Sequence, residues 1–292
     1  MYRSIVSDNI HDDLTRAIEL LIKYDIGAVE IHSIDGVTVE EFSLEKAKKY
    51  KQLLDEQQIK VSNLATTVFF MCKLKADYKI SLFKPSFYVL DGDTVFAHLK
   101  ALEHACQIAE IFDCELLRVF PFRWPDNYQV VGLEEDLKLI ADNLYQATSI
   151  AEKYEKILVL ENCPYSHCPK LEMTAKLVNM VDSPNLKLLY DPGNSYRAFV
   201  EKVPLEYQKL DVYQELEWLS ENIYHLHWKN YSFEEEQEKP FVHKILSEGD
   251  LDFSLIYQLL QEKNYCRAIS LEPEVEGEEV ENCIIDLLNI VR

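Results

Sequence analysis

Eight short apolar, β-prone runs recur along the chain, each separated from the next by a longer segment, most of them of helical period. The runs are Ser4–Ser7, Ala28–His32, Val61–Ala65, Leu116–Phe120, Ile157–Glu161, Leu186–Asp191, Ile223–His227 and Ala268–Glu272. Between Leu133 and Tyr154 the apolar residues Leu133, Leu137, Ile140, Leu144, Ala147, Ala151 and Tyr154 fall at steps of three and four, which is one helical face. A second helix is predicted over Thr94 to Phe112 with Asp93 as its N-cap, a third after Asp252, and a last one from Glu278 to Val291.

Strand–helix alternation with right-handed crossovers gives a parallel sheet. Eight such units in 292 residues predict a closed (β/α)8 barrel of a single domain, 1–292. An open doubly wound sheet is the competing architecture. Its dinucleotide-binding form is disfavoured because no G-x-G-x-x-G follows the first run and the chain has only seven glycines. The longest break in the rhythm is Thr66–Asp93, carrying Phe69, Phe70, Tyr78, Phe83, Phe87 and Tyr88. A loop of that length in a compact domain is expected to act as a lid, with most of these aromatics forming the lid's own core.

Charge narrows the partners. A net charge of −21 with no basic stripe excludes nucleic acid as a ligand. The run Glu234–Glu238 is expected as a solvated loop after a strand. No apolar run reaches the length of a membrane span. The seven cysteines show no C-x-x-C pairing and MYRSIVSDNI lacks an apolar signal core, so a cytoplasmic protein with reduced thiols is expected.

In a parallel barrel the C-terminal strand ends meet at one mouth. The fifth run ends ILVLENC with Glu161 and Asn162, and the sixth ends LLYDPGN with Asp191 and Asn194. The seventh ends IYHLHWKN with His225, His227 and Lys229, and the eighth ends AISLEPE with Glu272 and Glu274. Any one acid at such a position is explained as a helix N-cap or a solvated residue. Acid, acid, imidazole and acid from four consecutive strands are better explained by convergence on one divalent cation. Three carboxylates and a neutral imidazole suit Mn, Mg, Co or Zn and leave positions open for two adjacent substrate oxygens. His225 and His227 point the same way; His227, nearer the rim, is the expected ligand, and His225 core or support.

LENCP, DPGN, HLHWKN, EGDLDFSLIYQLL and ISLEPE resemble the sugar-phosphate isomerase/epimerase superfamily, the xylose-isomerase-like TIM barrels. The resemblance implies that Glu161, Asp191, His227 and Glu272 bind one metal. It also implies that Glu161 and Glu272 exchange a proton with opposite faces of a substrate carbon through an enediolate. A metal bridging a carbonyl and its neighbouring hydroxyl acidifies that C–H, and a carboxylate in reach removes the proton.

Cys163 replaces a common His, Asn230 replaces a common Asp, and Asn194 stands where epimerases carry a substrate-gripping His. Lys229 is expected either to hold a substrate oxygen or to form a rim salt bridge. Arg118, Arg123 and Arg197 lie on or just after the fourth and sixth strands. Arg123 is expected either to bind a substrate anion through its planar fork or to form a structural ion pair. Asn162, Asn194 and Trp124 complete the expected substrate contacts. No base is seen that would activate Cys163.

The expected function is a metal-dependent isomerase or epimerase of a small carbohydrate. A dehydratase of inosose or dehydroshikimate type on the same scaffold is the alternative. An endonuclease-type barrel is opposed by the charge, and a barrel that only binds sugar by the full ligand set. Outer helices of such barrels support homo-oligomers, by analogy alone.

Overall fold

The apolar runs form eight parallel strands: β1 Tyr2–Ile5, β2 Ala28–Ile31, β3 Lys60–Leu64, β4 Leu116–Val119, β5 Ile157–Glu161, β6 Leu186–Tyr190, β7 Ile223–Trp228 and β8 Ala268–Leu271. The computed structural model describes residues 1–81, 89–90, 92–198 and 202–292. The strand order is β1-β8-β7-β6-β5-β4-β3-β2. A parallel bridge from Val6, just past β1, to Glu30 in β2 brings the two ends together. The result is a nearly closed barrel, as the rhythm predicts.

Among the described residues eight longer helices follow the strands: α1 Leu14–Lys23, α2 Leu44–Glu56, α3 Val95–Ile111, α4 Glu134–Lys153, α5 Leu171–Val181, α6 Val212–Leu219, α7 Phe253–Glu262 and α8 Glu278–Ile290. In α4 the predicted face from Leu137 to Ala151 is buried, but Leu133 caps the helix and is 40 % exposed. Thr94, not Asp93, caps α3, its side chain accepting from Ala97 N. Asp93 pairs with Lys73 instead, at 2.7 Å. Ser7, expected in the first strand, opens a one-turn helix, Ser7–Ile10. Among the described residues no helix is long and apolar enough to cross a membrane.

Among the described residues two hairpins decorate the barrel. Ser33–Ile34 pairs with Val37–Thr38 across Asp35-Gly36, both with positive φ, as this turn requires. Asn230–Phe233 pairs with Phe241–Lys244 directly after β7, and the acidic run Glu234–Glu238 lies in its connection.

Much of the Thr66–Asp93 loop is anchored. Phe69 stacks on Phe122 at 4.6 Å, Phe70 meets Phe120 at 4.6 Å, and Tyr78 donates to Asp136 at 2.8 Å. Phe83, Phe87 and Tyr88 lie outside the described residues. His98 of α3 staples both ends of the loop: its Nδ1 accepts from Phe69 N at 2.8 Å and its Nε2 reaches Gly92 O at 3.0 Å. Only the neutral ring with hydrogen on Nε2 makes both bonds.

Burial pushes the His98 pKa down to about 4, and that of His167 likewise to about 4. Both rings therefore stay neutral in the fold over a range where the unfolded chain binds protons. The unfolded state gains protons first as pH falls, so stability is full above pH 6.5 and drops toward about 4. Each ring contributes a slope of about 1.4 kcal/mol per pH unit in that window. Urea unfolding at pH 7, 5.5 and 4.5 reads this slope, and H98Q is expected to remove the His98 share. A stability that stays flat over the window contradicts the assignment.

Candidate metal centre

β5 ends on Glu161, Asp191 follows β6, His227 lies in β7 and Glu272 follows β8. Strand alternation turns His225, His227 and Lys229 to the same side. Glu161, Asp191, His227 and Glu272 each offer one donor atom, and these four atoms lie within 4.8 Å of one another, all from buried residues.

Asp191 has two tasks. Its Oδ1 accepts from Asn194 N at 3.0 Å and caps the one-turn helix Pro192–Tyr196. Its Oδ2 lies 3.0 Å from Lys229 Nζ. The cap reading and the ligand reading thus apply to different oxygens of one carboxylate. Gly193 permits this approach, because a Cβ there would lie 2.8 Å from Lys229 O.

His227 is oriented from below. Its Nε2 is 2.9 Å from Glu30 Oε1, and His225 Nε2 is 2.6 Å from Glu30 Oε2. Asn63 donates to Glu30 at 2.7 Å. Burial alone would raise the Glu30 pKa, but His227 and His225 hold it well below the usual carboxylate range. An ionised carboxylate only accepts, so both Nε2 atoms carry hydrogen. His227 Nδ1 is the nitrogen turned to the cluster, 3.6 Å from both Glu161 Oε1 and Glu272 Oε2. Burial opposes a charged ring, but Glu30, Glu272 and Glu161 hold His227 well above the ordinary imidazole value, so Nδ1 carries a proton among these acids.

A divalent cation taking the place of that proton would bind the same nitrogen together with the carboxylate oxygens around it. The donor chemistry therefore fits the expected metal: three carboxylates and an imidazole whose other nitrogen is held by an acid.

Arg118 and Lys229 balance the acids. Arg118 Nη1 is 3.0 Å from Glu161 and 3.8 Å from Glu272, while its other nitrogens donate to Ala65 O and Thr66 O. Lys229 Nζ is 2.5 Å from Glu272 and 3.2 Å from Glu274. Burial, opposed by Lys229 and assisted by Glu272 and Glu161, pushes the Asp191 pKa up to about 7. Burial acts the same way on Glu272, but Lys229, His227 and Arg118 prevail and hold it well below its ordinary value.

The remaining expected residues divide. Asn194 touches the cluster, donating to Glu161 Oε1 at 3.0 Å. Asn162 does not serve as expected: its Oδ1 accepts from Asp191 N and its Nδ2 donates to Asp191 O, both at 2.9 Å. Its amide is committed to fixing the Asp191 backbone. Arg123 is a structural ion pair, 3.1 Å from Asp126 and donating to Trp124 O and Tyr165 O. Trp124 lies edge-on to Tyr165 at 6.1 Å, with Lys202 over its ring. Cys163 is a buried thiol pushed up to about 12, which fits no nucleophile. Asn230, where a common Asp is replaced, ties the Leu246–Leu251 segment by donating to Leu246 O and Leu251 O.

Two residues near the centre carried no assigned role at the level of sequence. Glu30 and Arg118 are charged residues inside otherwise apolar strands, and such an interruption is their only sequence signal.

Fold and site together define a (β/α)8 barrel with four buried side chains at its C-terminal mouth whose donor atoms are close enough to hold a metal ion. The chain belongs to the xylose isomerase-like TIM barrel family, whose model matches residues 18–287. No curated protein matches the sequence. Among solved structures it is similar to AsbF, a probable 3-DHS dehydratase of Bacillus anthracis, with TM-score 0.71, 16 % identity and full coverage of both chains. It is similar to the IOLI protein with a binding zinc atom, with TM-score 0.71, 17 % identity and coverage of 99 % of this chain and 96 % of that one. A D-psicose 3-epimerase determined with D-fructose gives TM-score 0.69 at 13 % identity, covering 100 % and 99 %. At these identities the likeness is one of fold.

Proposed function

We propose that the chain is a divalent-metal-dependent isomerase or epimerase of a small hydroxylated carbonyl compound. The observation that carries this reading is the buried group of donor atoms from Glu161, Asp191, His227 and Glu272, with His227 Nδ1 turned toward the acids by the bond from its Nε2 to Glu30. Glu161, Asp191, His227 and Glu272 would hold Mn, Mg, Co or Zn, which supplies charge to acidify a C–H beside a carbonyl.

The chain's own groups do the rest. Glu272, kept ionised by Lys229, His227 and Arg118, takes the proton from the substrate carbon. Glu161, held by Arg118 and Asn194, returns one from the other face. Lys229 holds a substrate oxygen once a metal neutralises the acids it now bridges.

The test is deuterium exchange. Metal-stripped protein reloaded with Mn2+ and given a panel of ketoses in heavy water is expected to place deuterium on the carbon beside the carbonyl. A metal-loaded protein that exchanges with none of them contradicts the proposal. The dehydratase alternative shares the enolising step, and its fold is represented by the AsbF likeness. It would register as a new enone absorbance.

A further inference from the structure

Above the four converging side chains the mouth carries a second polar group, centred on Arg197. This residue follows the Pro192–Tyr196 helix and is half-buried. Its Nη1 donates to the Tyr231 hydroxyl at 2.8 Å and its Nη2 to the Tyr165 hydroxyl at 2.6 Å. The guanidinium carbon lies 5.1 Å from the centre of the Tyr165 ring and 5.0 Å from that of Tyr231. Tyr165 comes from the segment after β5, Arg197 from that after β6 and Tyr231 from the hairpin after β7. The group therefore stands at the C-terminal mouth. It is linked downward, since Tyr231 donates to Glu274 at 3.2 Å and Lys229 donates to both Glu274 and Glu272.

The arginines of this mouth differ in what opposes their charge. Arg118 faces Glu161 and Arg123 faces Asp126, at 3.0 Å and 3.1 Å. Arg197 has no carboxylate within ion-pair distance among the described residues, and only the two phenols accept from it. That is notable in a chain of net charge −21, where acids are plentiful. The two hydroxyls use part of a five-donor fork and fix its plane. The unused N–H groups suit a planar or tetrahedral oxyanion, which a guanidinium binds through paired charge-assisted hydrogen bonds.

We propose that Arg197 grips an anionic group of the substrate, a carboxylate or a phosphate, carried beyond the carbon that is enolised. This rests on the function proposed above and names its substrate class: a small hydroxy-ketone with an acidic tail. Tyr165 and Tyr231 are positioning residues that hold the guanidinium plane.

Three compounds with the same hydroxymethyl-ketone head test it: dihydroxyacetone with a neutral tail, hydroxypyruvate with a carboxylate and dihydroxyacetone phosphate with a phosphate. Their affinities for the Mn2+-loaded protein are measured by calorimetry, with deuterium exchange read on the same samples. At least one anionic compound is expected to bind about 30-fold more tightly than the neutral one, the size of a charge-assisted hydrogen-bonded pair. Which one wins distinguishes carboxylate from phosphate. R197M is expected to bring the anionic-to-neutral ratio close to one. Y165F keeps the charge but loosens the fork, and is expected to lower the ratio at least about threefold.

Equal affinities in the unaltered protein, or a ratio that survives R197M, overturn the proposal. If R197M does not fold, a ratio unchanged in Y165F overturns it. Exchange with equal affinities removes the Arg197 grip and leaves the proton-transfer reading. An anion preference lost in R197M but without exchange leaves the grip and removes that reading.

Discussion

Glu272→Gln is expected to lower deuterium exchange on the substrate carbon by about 1,000-fold, within the range that a positioned general base contributes. The carboxylate lies 2.5 Å from Lys229 and 3.6 Å from His227 Nδ1. Burial opposes its ionisation, yet Lys229, His227 and Arg118 keep it charged at neutral pH, so it is ready to accept a proton. Glutamine keeps the volume and can still accept a hydrogen bond from Lys229, but it cannot take the proton. The substitution also weakens one metal donor, so the assay is run at saturating Mn2+. The backbone needs no change, because Glu272 N still donates to Trp228 O at 3.0 Å. Far-ultraviolet circular dichroism checks the fold. A variant keeping more than about a tenth of the exchange rate would remove Glu272 from the role of base.

The second large effect is expected at a residue that does not belong to the four donors. Glu30→Gln is expected to weaken Mn2+ binding about 10- to 100-fold, the range seen when the acid behind a ligating histidine is removed. The charge of Glu30 fixes hydrogen on Nε2 of His227 and so leaves Nδ1 as the nitrogen that can give its lone pair to a metal. A glutamine amide can turn its NH2 toward that nitrogen, and the ring then carries hydrogen on Nδ1, where it cannot ligate. Glu30→Asp retains charge with a shorter reach and is expected to recover part of the affinity. A dissociation constant within twofold of the unaltered protein in E30Q contradicts the positioning role.

The barrel was readable in the sequence because each strand is a short apolar run and each helix an amphipathic period, and both signals are local. The four expected donors were readable because each sits at a strand end, where the parallel barrel turns every C-terminus to one mouth. Glu30 pairs with histidines 195 and 197 residues away, across the barrel, and nothing local marks that. Asn162 was assigned to substrate, and Arg123 to either a substrate anion or an ion pair, because both follow strands. The structure instead uses them on the Asp191 backbone and on Asp126. A sequence shows that a polar side chain stands at the mouth, but not whether a neighbour has already taken its hydrogen bonds. Arg197 is the reverse case, since its lack of a carboxylate partner appears only once the neighbours are in place.

Whether Glu161, Asp191, His227 and Glu272 hold a divalent ion is decided by titrating the metal-free protein with Mn2+ and following the spin resonance of the free ion. The geometry predicts one ion per chain, with an affinity falling at least about 100-fold in D191N, where a carboxylate donor becomes a neutral amide. No stoichiometric binding, or binding in D191N as tight as in the unaltered protein, would contradict the account.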